Sequence, residues 1–152
     1  YTGRFGLEDH VDELGMTVGE ALTSPTRVFA PVAAAVLERM GEAVHGMVHN
    51  TGGGLTKCLR LGEGLKYMKD TLPEPDPIFT LIQREGRVEW REMYEDFNMG
   101  VGFEFFVDPD SVDEVLSVAE GFGIGAQVMG RCERGGEKNS MVIESEHGKF
   151  SY

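Results

Sequence analysis

The chain has 152 residues, 26 acidic and 14 basic, for a formal net charge of -12, and 41% of its residues are hydrophobic. That apolar share supports one core of ordinary domain size, and the charge argues against non-specific nucleic-acid binding, since no basic stripe is present to neutralise phosphates. No apolar run approaches the ~18 residues of a membrane span and no secretory signal is expected, while two cysteines without C-x-x-C spacing, Cys58 and Cys132, read as free thiols in a reducing cytosol.

Residues 1–14 are polar and glycine-dotted with no clear period, and read as a linker or interdomain segment ahead of one domain over 15–152. Thr17 with Glu20 three residues on forms a capping box and predicts a short helix through Leu22. Pro25 and Pro31 punctuate the next stretch. Pro31 opens a second helix with Val32, Val36, Leu37 and Met40 on its inner face, ended by Gly41. Val44 to Val48 is a β-prone run, and Leu55 to Arg60 reads as a helix after three glycines. Leu65 to Met68 is a weak strand, and Pro73 and Pro75 make 71–76 a loop.

Pro77 to Glu85 reads as a helix with Ile78, Leu81 and Ile82 inward. Glu89 to Phe97 reads as another, whose stripe of Trp90, Met93, Tyr94 and Phe97 belongs in a core. Arg84, Arg87 and Arg91 fall on the solvated face of this stretch. Gly100-Val101-Gly102 breaks the helix before a strand over Phe103–Val107. Asp108-Pro109-Asp110-Ser111 caps a further helix, faced by Val112, Val115, Leu116 and Ala119 and closed by Gly121 and Gly123. Ala126 to Cys132 is expected as a strand and Glu133 to Asn139 as a polar turn. Met141–Ser145 and Lys149–Tyr152 then form a terminal hairpin around His147-Gly148. The order implies an α+β fold, helices packed on a mixed sheet and partly ferredoxin-like.

The stretch with chemistry in it is His49-Asn50-Thr51-Gly52-Gly53-Gly54. Glycines let the backbone take positive φ and let a ligand approach the main chain. A helix starting near Leu55 would aim unpaired N–H groups at the same spot, a ready place for a phosphate or carboxylate. Thr51 adds a hydroxyl, with His49 and Asn50 at the mouth. A plain tight turn satisfies the same spacing, and glycines alone do not separate the two. His45 and His49 would lie about 13 Å apart on a strand, too far to share a metal, so no metal site is expected. Arg27 can pair with a phosphate or with an acidic neighbour. Asn98, just before a Met-Gly break, can meet a ligand or cap the helix. No Ser-His-Asp or Cys-His set can be assembled, which leaves any catalytic residue unassigned.

His-x-Thr-Gly-Gly-Gly at 49–54, together with Phe97-Asn98-Met99-Gly100, resembles the C-terminal domain of aminoimidazole ribonucleotide synthetase, the phosphoribosylformylglycinamidine cyclo-ligase of purine biosynthesis. Further segments agree in order: 15–22, Ser24-Pro25-Thr26-Arg27, Pro77-Ile78-Phe79, Leu81-Ile82-Gln83, Glu92-Met93-Tyr94 and Gly130-Arg131. The resemblance implies that the chain is the substrate-side half of an ATP-dependent ligase. Its own N-terminal domain, absent here, would bind ATP and Mg2+ and support a cytoplasmic homodimer. The substrate implied is formylglycinamidine ribonucleotide. The implied roles are phosphate cradling for Thr51, Gly52, Gly53 and Gly54, with His49, Asn98 and Arg27 as further contacts. Asn50 departs from the family, standing where many members carry an apolar residue, and the terminal hairpin is longer than in many. A non-catalytic anion-binding α+β module is the alternative, as is a sister ATP-dependent enzyme of the same superfamily.

Overall fold

The computed structural model describes residues 2–152; Tyr1, the first residue of the expected linker, lies outside them. In chain order the elements are β1 (His10–Val11), β2 (Met16–Thr17), α1 (Val18–Leu22), α2 (Ala30–Met40), β3 (Val44–His49), a 3-10 segment (Gly54–Arg60) and β4 (Leu65–Lys69). They continue with α3 (Pro77–Gly86), α4 (Trp90–Asp96), β5 (Phe103–Val107), α5 (Val112–Gly121), β6 (Gly130–Arg134), β7 (Ser140–Ser145) and β8 (Gly148–Ser151). The fold is α+β, as the element order implied. Its strands fall into three sheets: β1 with β2, β3 with β5, and a mixed sheet ordered β6-β4-β7-β8. Within the last, β4 runs parallel to β7 and the other pairs are antiparallel.

The capping box forms as expected. The Glu20 N–H donates to Thr17 Oγ1 at 3.2 Å, and the Glu20 carboxylate accepts the Thr17 N–H at 2.8 Å. The Thr17 N–H foremost, and then the Thr17 hydroxyl, which also donates to the carboxylate at 2.8 Å, hold the Glu20 carboxyl below its ordinary value. The cap orients Val18 into a small core with Val11 and Leu81, so the segment before residue 15 is packed on α3 through Val11.

The β3–β5 ladder divides the rest of the interior. Along β5 successive side chains point to opposite faces, and in β3 the register shifts between Val44 and Gly46, so Val44, Phe105 and Val107 pack with Val32 and Val36 of α2 and with Val115, Val118 and Ala119 of α5. Val48 and Phe106 belong instead to the larger core, with Tyr67, Met93, Met141 and Ile143. Leu37, expected inward, is 41% exposed. The stripe that meets α5 runs through Val32 and Val36, and one residue on is ~100° around the helix.

Two further expectations change. The strand expected over 126–132 begins only at Gly130 and runs to Arg134, shortening the polar turn after it. The preceding stretch crosses the 71–76 loop instead of joining a ladder: Gln127 Nε2 donates to Thr71 O at 2.9 Å, and Met129 O accepts the Thr71 N–H at 3.2 Å. A Cβ on Gly130 would lie 1.8 Å from Met68 O, so the strand can enter the sheet there only without a side chain. The Asp108–Ser111 run gives no side-chain cap; it makes a 3-10 turn, and Asp108 Oδ1 bonds His45 Nε2 at 2.8 Å. Arg84, Arg87 and Arg91 are exposed, as expected of a solvated face, and two of them make contacts there. Arg84 pairs with Glu13, and Arg91 lies 4.4 Å over the Tyr152 ring while donating to Ser151 O at 2.6 Å.

Trp90 and His147 stack at 3.5 Å between ring centroids, 9° from parallel, fastening the β7–β8 tip to α4. No helix among the described residues is long and apolar enough to cross a membrane. Cys58 is buried beside Met141 Sδ at 3.6 Å, and burial pushes its thiol up to about 11. Cys132 is exposed. In the folded chain at pH 8 a disulfide reagent is expected to titrate Cys132 first, with Cys58 reacting only after denaturant is added. Equal rates for the two thiols in the folded state would contradict this packing.

Candidate functional site

The two glycine-bearing motifs meet at one end of the β3–β5 ladder. His49 pairs with Phe103 in the ladder, and one step beyond it the Asn50 N–H donates to Gly102 O at 2.9 Å. From there the chain turns through Thr51-Gly52-Gly53-Gly54 on one side and arrives through Asn98-Met99-Gly100-Val101 on the other. Asn98 clamps the two: its Nδ2 donates to Asn50 O at 3.2 Å, and its Oδ1 accepts the Gly100 N–H at 3.1 Å. One N–H and the carbonyl oxygen of that amide thus tie the two loops together. Met99 is buried at φ 52, a left-handed conformation uncommon outside glycine.

Within the turn the three glycines differ. Gly53 has φ 98, and a Cβ there would meet nothing within 4 Å. Gly52 also faces open space. Gly54 is buried, its N–H donates to Thr51 O at 3.1 Å, and a Cβ would sit 2.6 Å from Phe97 O, 2.7 Å from Tyr94 O and 2.8 Å from Glu95 O. Gly54 therefore brings the turn against the end of α4 and has no amide to spare. The helix expected after it is a seven-residue 3-10 segment. So short a segment sums few peptide dipoles, which leaves local donors: the N–H groups of Gly52 and Gly53, the Thr51 hydroxyl, and the Lys57 ammonium that bonds Thr51 Oγ1.

His49 is exposed, with its ring 5.6 Å from Phe29 and 6.0 Å from Phe103 between centroids. Arg27 is not brought to the turn by any bond; its guanidinium donates to Gly123 O at 3.2 Å, after α5. Beside the paired loops lies a cleft of about 680 Å³, lined by Leu55, Met99 and Val101 and walled by residues 70–75 and 144–147. Among the described residues no group of three or more His, Cys, Asp or Glu side chains could hold a metal ion.

Sequence reasoning put Asn50 at the mouth of the turn, where the structure buries it, and missed Lys69 and Glu104 beneath. Asn50, Lys69 and Glu104 are only 2%, 3% and 4% exposed. Lys69 Nζ bonds Glu104 Oε1 at 2.7 Å and Leu55 O at 2.8 Å, while Asn50 Nδ2 donates to Glu104 Oε1 at 2.6 Å and Val101 O at 3.0 Å. One signal was available: Glu104 stands inside the otherwise apolar strand run Phe103–Val107.

Replacing Gly54 with Ala should cost about 2–4 kcal/mol, from the strain of a β-carbon at positive φ and contact with three carbonyls. Gly52→Ala should stay within about 0.5 kcal/mol. Urea unfolding of the two variants checks this; equal losses would mean the turn is not seated on α4 as described.

No protein-family model matches the sequence. Phosphoribosylformylglycinamidine cyclo-ligase of Methanocaldococcus jannaschii is 42% identical over 129 residues, 85% of this chain and 37% of the relative. That of a Thermoanaerobacter species is 38% identical over 148 residues, 95% of this chain and 40% of the relative. That of Methanothermobacter thermautotrophicus is 44% identical over 111 residues, 73% and 32% respectively. In fold the chain is similar to Escherichia coli HypE, a hydrogenase maturation protein, with a TM-score of 0.57 at 16% identity, covering 99% of this chain and 47% of that one. The chain spans roughly two fifths or less of the length of the curated relatives it matches, and over that span it is homologous to one portion of the phosphoribosylformylglycinamidine cyclo-ligases.

Proposed function

We infer that this chain supplies the substrate-side, C-terminal portion of an ATP-dependent cyclo-ligase that closes formylglycinamidine ribonucleotide to aminoimidazole ribonucleotide. The single observation that carries the reading is the meeting of the two motif loops at one ladder end, with an open glycine turn between the Thr51 hydroxyl and the Gly53 backbone. The sequence relatives, at 35–44% identity, favour it over a sister ATP-dependent enzyme and over a free-standing anion-binding module. Under this reading the N–H groups of Gly52 and Gly53, with Thr51 and Lys57, receive the substrate phosphate. Gly54 seats the turn, and His49 stands at its rim. Asn98 acts through the loops it clamps. Arg27 is the weakest of these assignments, its contact lying on Gly123.

Under this reading ATP and Mg2+ are held mainly by the N-terminal portion of the complete protein. The same reading puts the complete enzyme in the cytoplasm as a homodimer and relates the domain to a ferredoxin-like plan. What this chain contributes is placement, which suits a reaction driven by phosphoryl transfer.

Gly53→Val in the complete protein adds bulk where the phosphate would lie and strains φ by about 1–2 kcal/mol. Substrate affinity is expected to fall at least tenfold while the melting temperature drops by only a few degrees. Calorimetric titration beside thermal melts decides it, and unchanged affinity would return the stretch to a simple turn. The chain by itself is expected to make no product from ATP and substrate; measurable ring closure by residues 1–152 would sink the division of labour proposed.

A further inference from the structure

We propose that Asn50, Lys69 and Glu104 are positioning residues for the glycine turn, holding its base in register with the 98–102 loop without touching the ligand. Each stands at a strand end that feeds one wall of the cleft. Asn50 follows β3, Lys69 closes β4, and Glu104 lies near the start of β5. The bonds they make reach the two motif loops: Leu55 O just after the turn, and Val101 O in the facing loop. The Asn50 backbone adds its N–H to Gly102 O and takes the Asn98 amide on its own carbonyl.

The network is a poor device for stability alone. All three side chains are more than nine-tenths buried, and two acceptors, Asn50 Oδ1 and Glu104 Oε2, have no partner among the described residues. Desolvating two charges and leaving acceptors unpaired is costly, and well-packed apolar side chains of similar volume often serve a core as well or better. What apolar side chains cannot do is bond specific carbonyls on two loops at once and so select one loop arrangement.

The inference rests on the glycine turn being the ligand site, so the experiment separates the two. In phosphate-free buffer, amide hydrogen exchange is measured on the whole chain for Asn50, Gly54, Gly100 and Val101, whose N–H groups are bonded within the paired loops. Met141, whose N–H bonds Tyr152 O outside the paired loops, is the reference. In the apolar variant Asn50→Leu/Lys69→Met/Glu104→Leu, the four loop amides should exchange at least tenfold faster while Met141 and the melting temperature hold. Affinity for inorganic phosphate, followed at the Gly52 and Gly53 amides, should fall at least tenfold. Unchanged loop exchange, or a uniform rise with a lowered melting temperature, overturns the proposal. If the triple variant does not fold, Asn50→Leu alone is read by the same criteria, since it leaves the ion pair in place. If the unaltered chain shows no phosphate shifts, the ligand assignment fails while the exchange result still decides the network.

Discussion

Lys69 and Glu104 face each other at 2.7 Å where water hardly reaches, and they join two sheets that share no strand. β4 belongs to the four-stranded sheet and β5 to the two-stranded ladder, so this pair and the Tyr67–Phe106 ring contact at 5.5 Å carry the alignment between them. A two-stranded ladder is marginal by itself. It is held here by α2 and α5 on one face and by the larger core on the other, and the ion pair fixes where along its length the second sheet meets it. The ends of β3, β4 and β5 consequently open at the same place, which is why their loops share a cleft.

Such a pair constrains more than it stabilises. Removing one partner of a buried pair costs about 3–5 kcal/mol because the other charge is left without compensation, whereas exchanging both for apolar groups is often neutral or favourable. The same asymmetry applies to the Gly54 seat on α4, which tolerates no β-carbon though it contributes no side-chain contact. Both features narrow the set of conformations open to residues 50–54, one through charge and hydrogen bonds, the other through sterics. Preorganised backbone donors lose less entropy on meeting an anion, so a rigid base under a short turn can substitute for the long helix dipole that this turn lacks.

Local rules carried the sequence reading where local rules decide the structure. The Thr17–Glu20 box, the Gly41 stop, the Pro77 start and the Phe103–Val107 strand follow from caps, breakers and pattern, and all stand in the fold. Long-range pairing decided the rest. Nothing local shows that residues 126–129 would lie across the 71–76 loop, or that Gly130 must thread past Met68 O. The division of the strands into separate sheets is also invisible to alternation, which reports faces and not partners. At the candidate site, the glycine motif marked the place and the facing Asn98 segment marked its neighbour. The buried polar groups under them were hidden because a lysine and a glutamate in a strand read as solvent-facing residues. Only the folded arrangement shows that each is the reason the other can be inside.

The stack of Trp90 on His147 has a use outside the cleft. Trp90 is the chain's one tryptophan, so all indole emission comes from the place where the β7–β8 tip rests on α4. The native protein thus holds an intrinsic optical gauge of that seam: the indole's surroundings change when the tip lifts and the rings part, with no label added and no other fluorophore of its kind to confuse the signal.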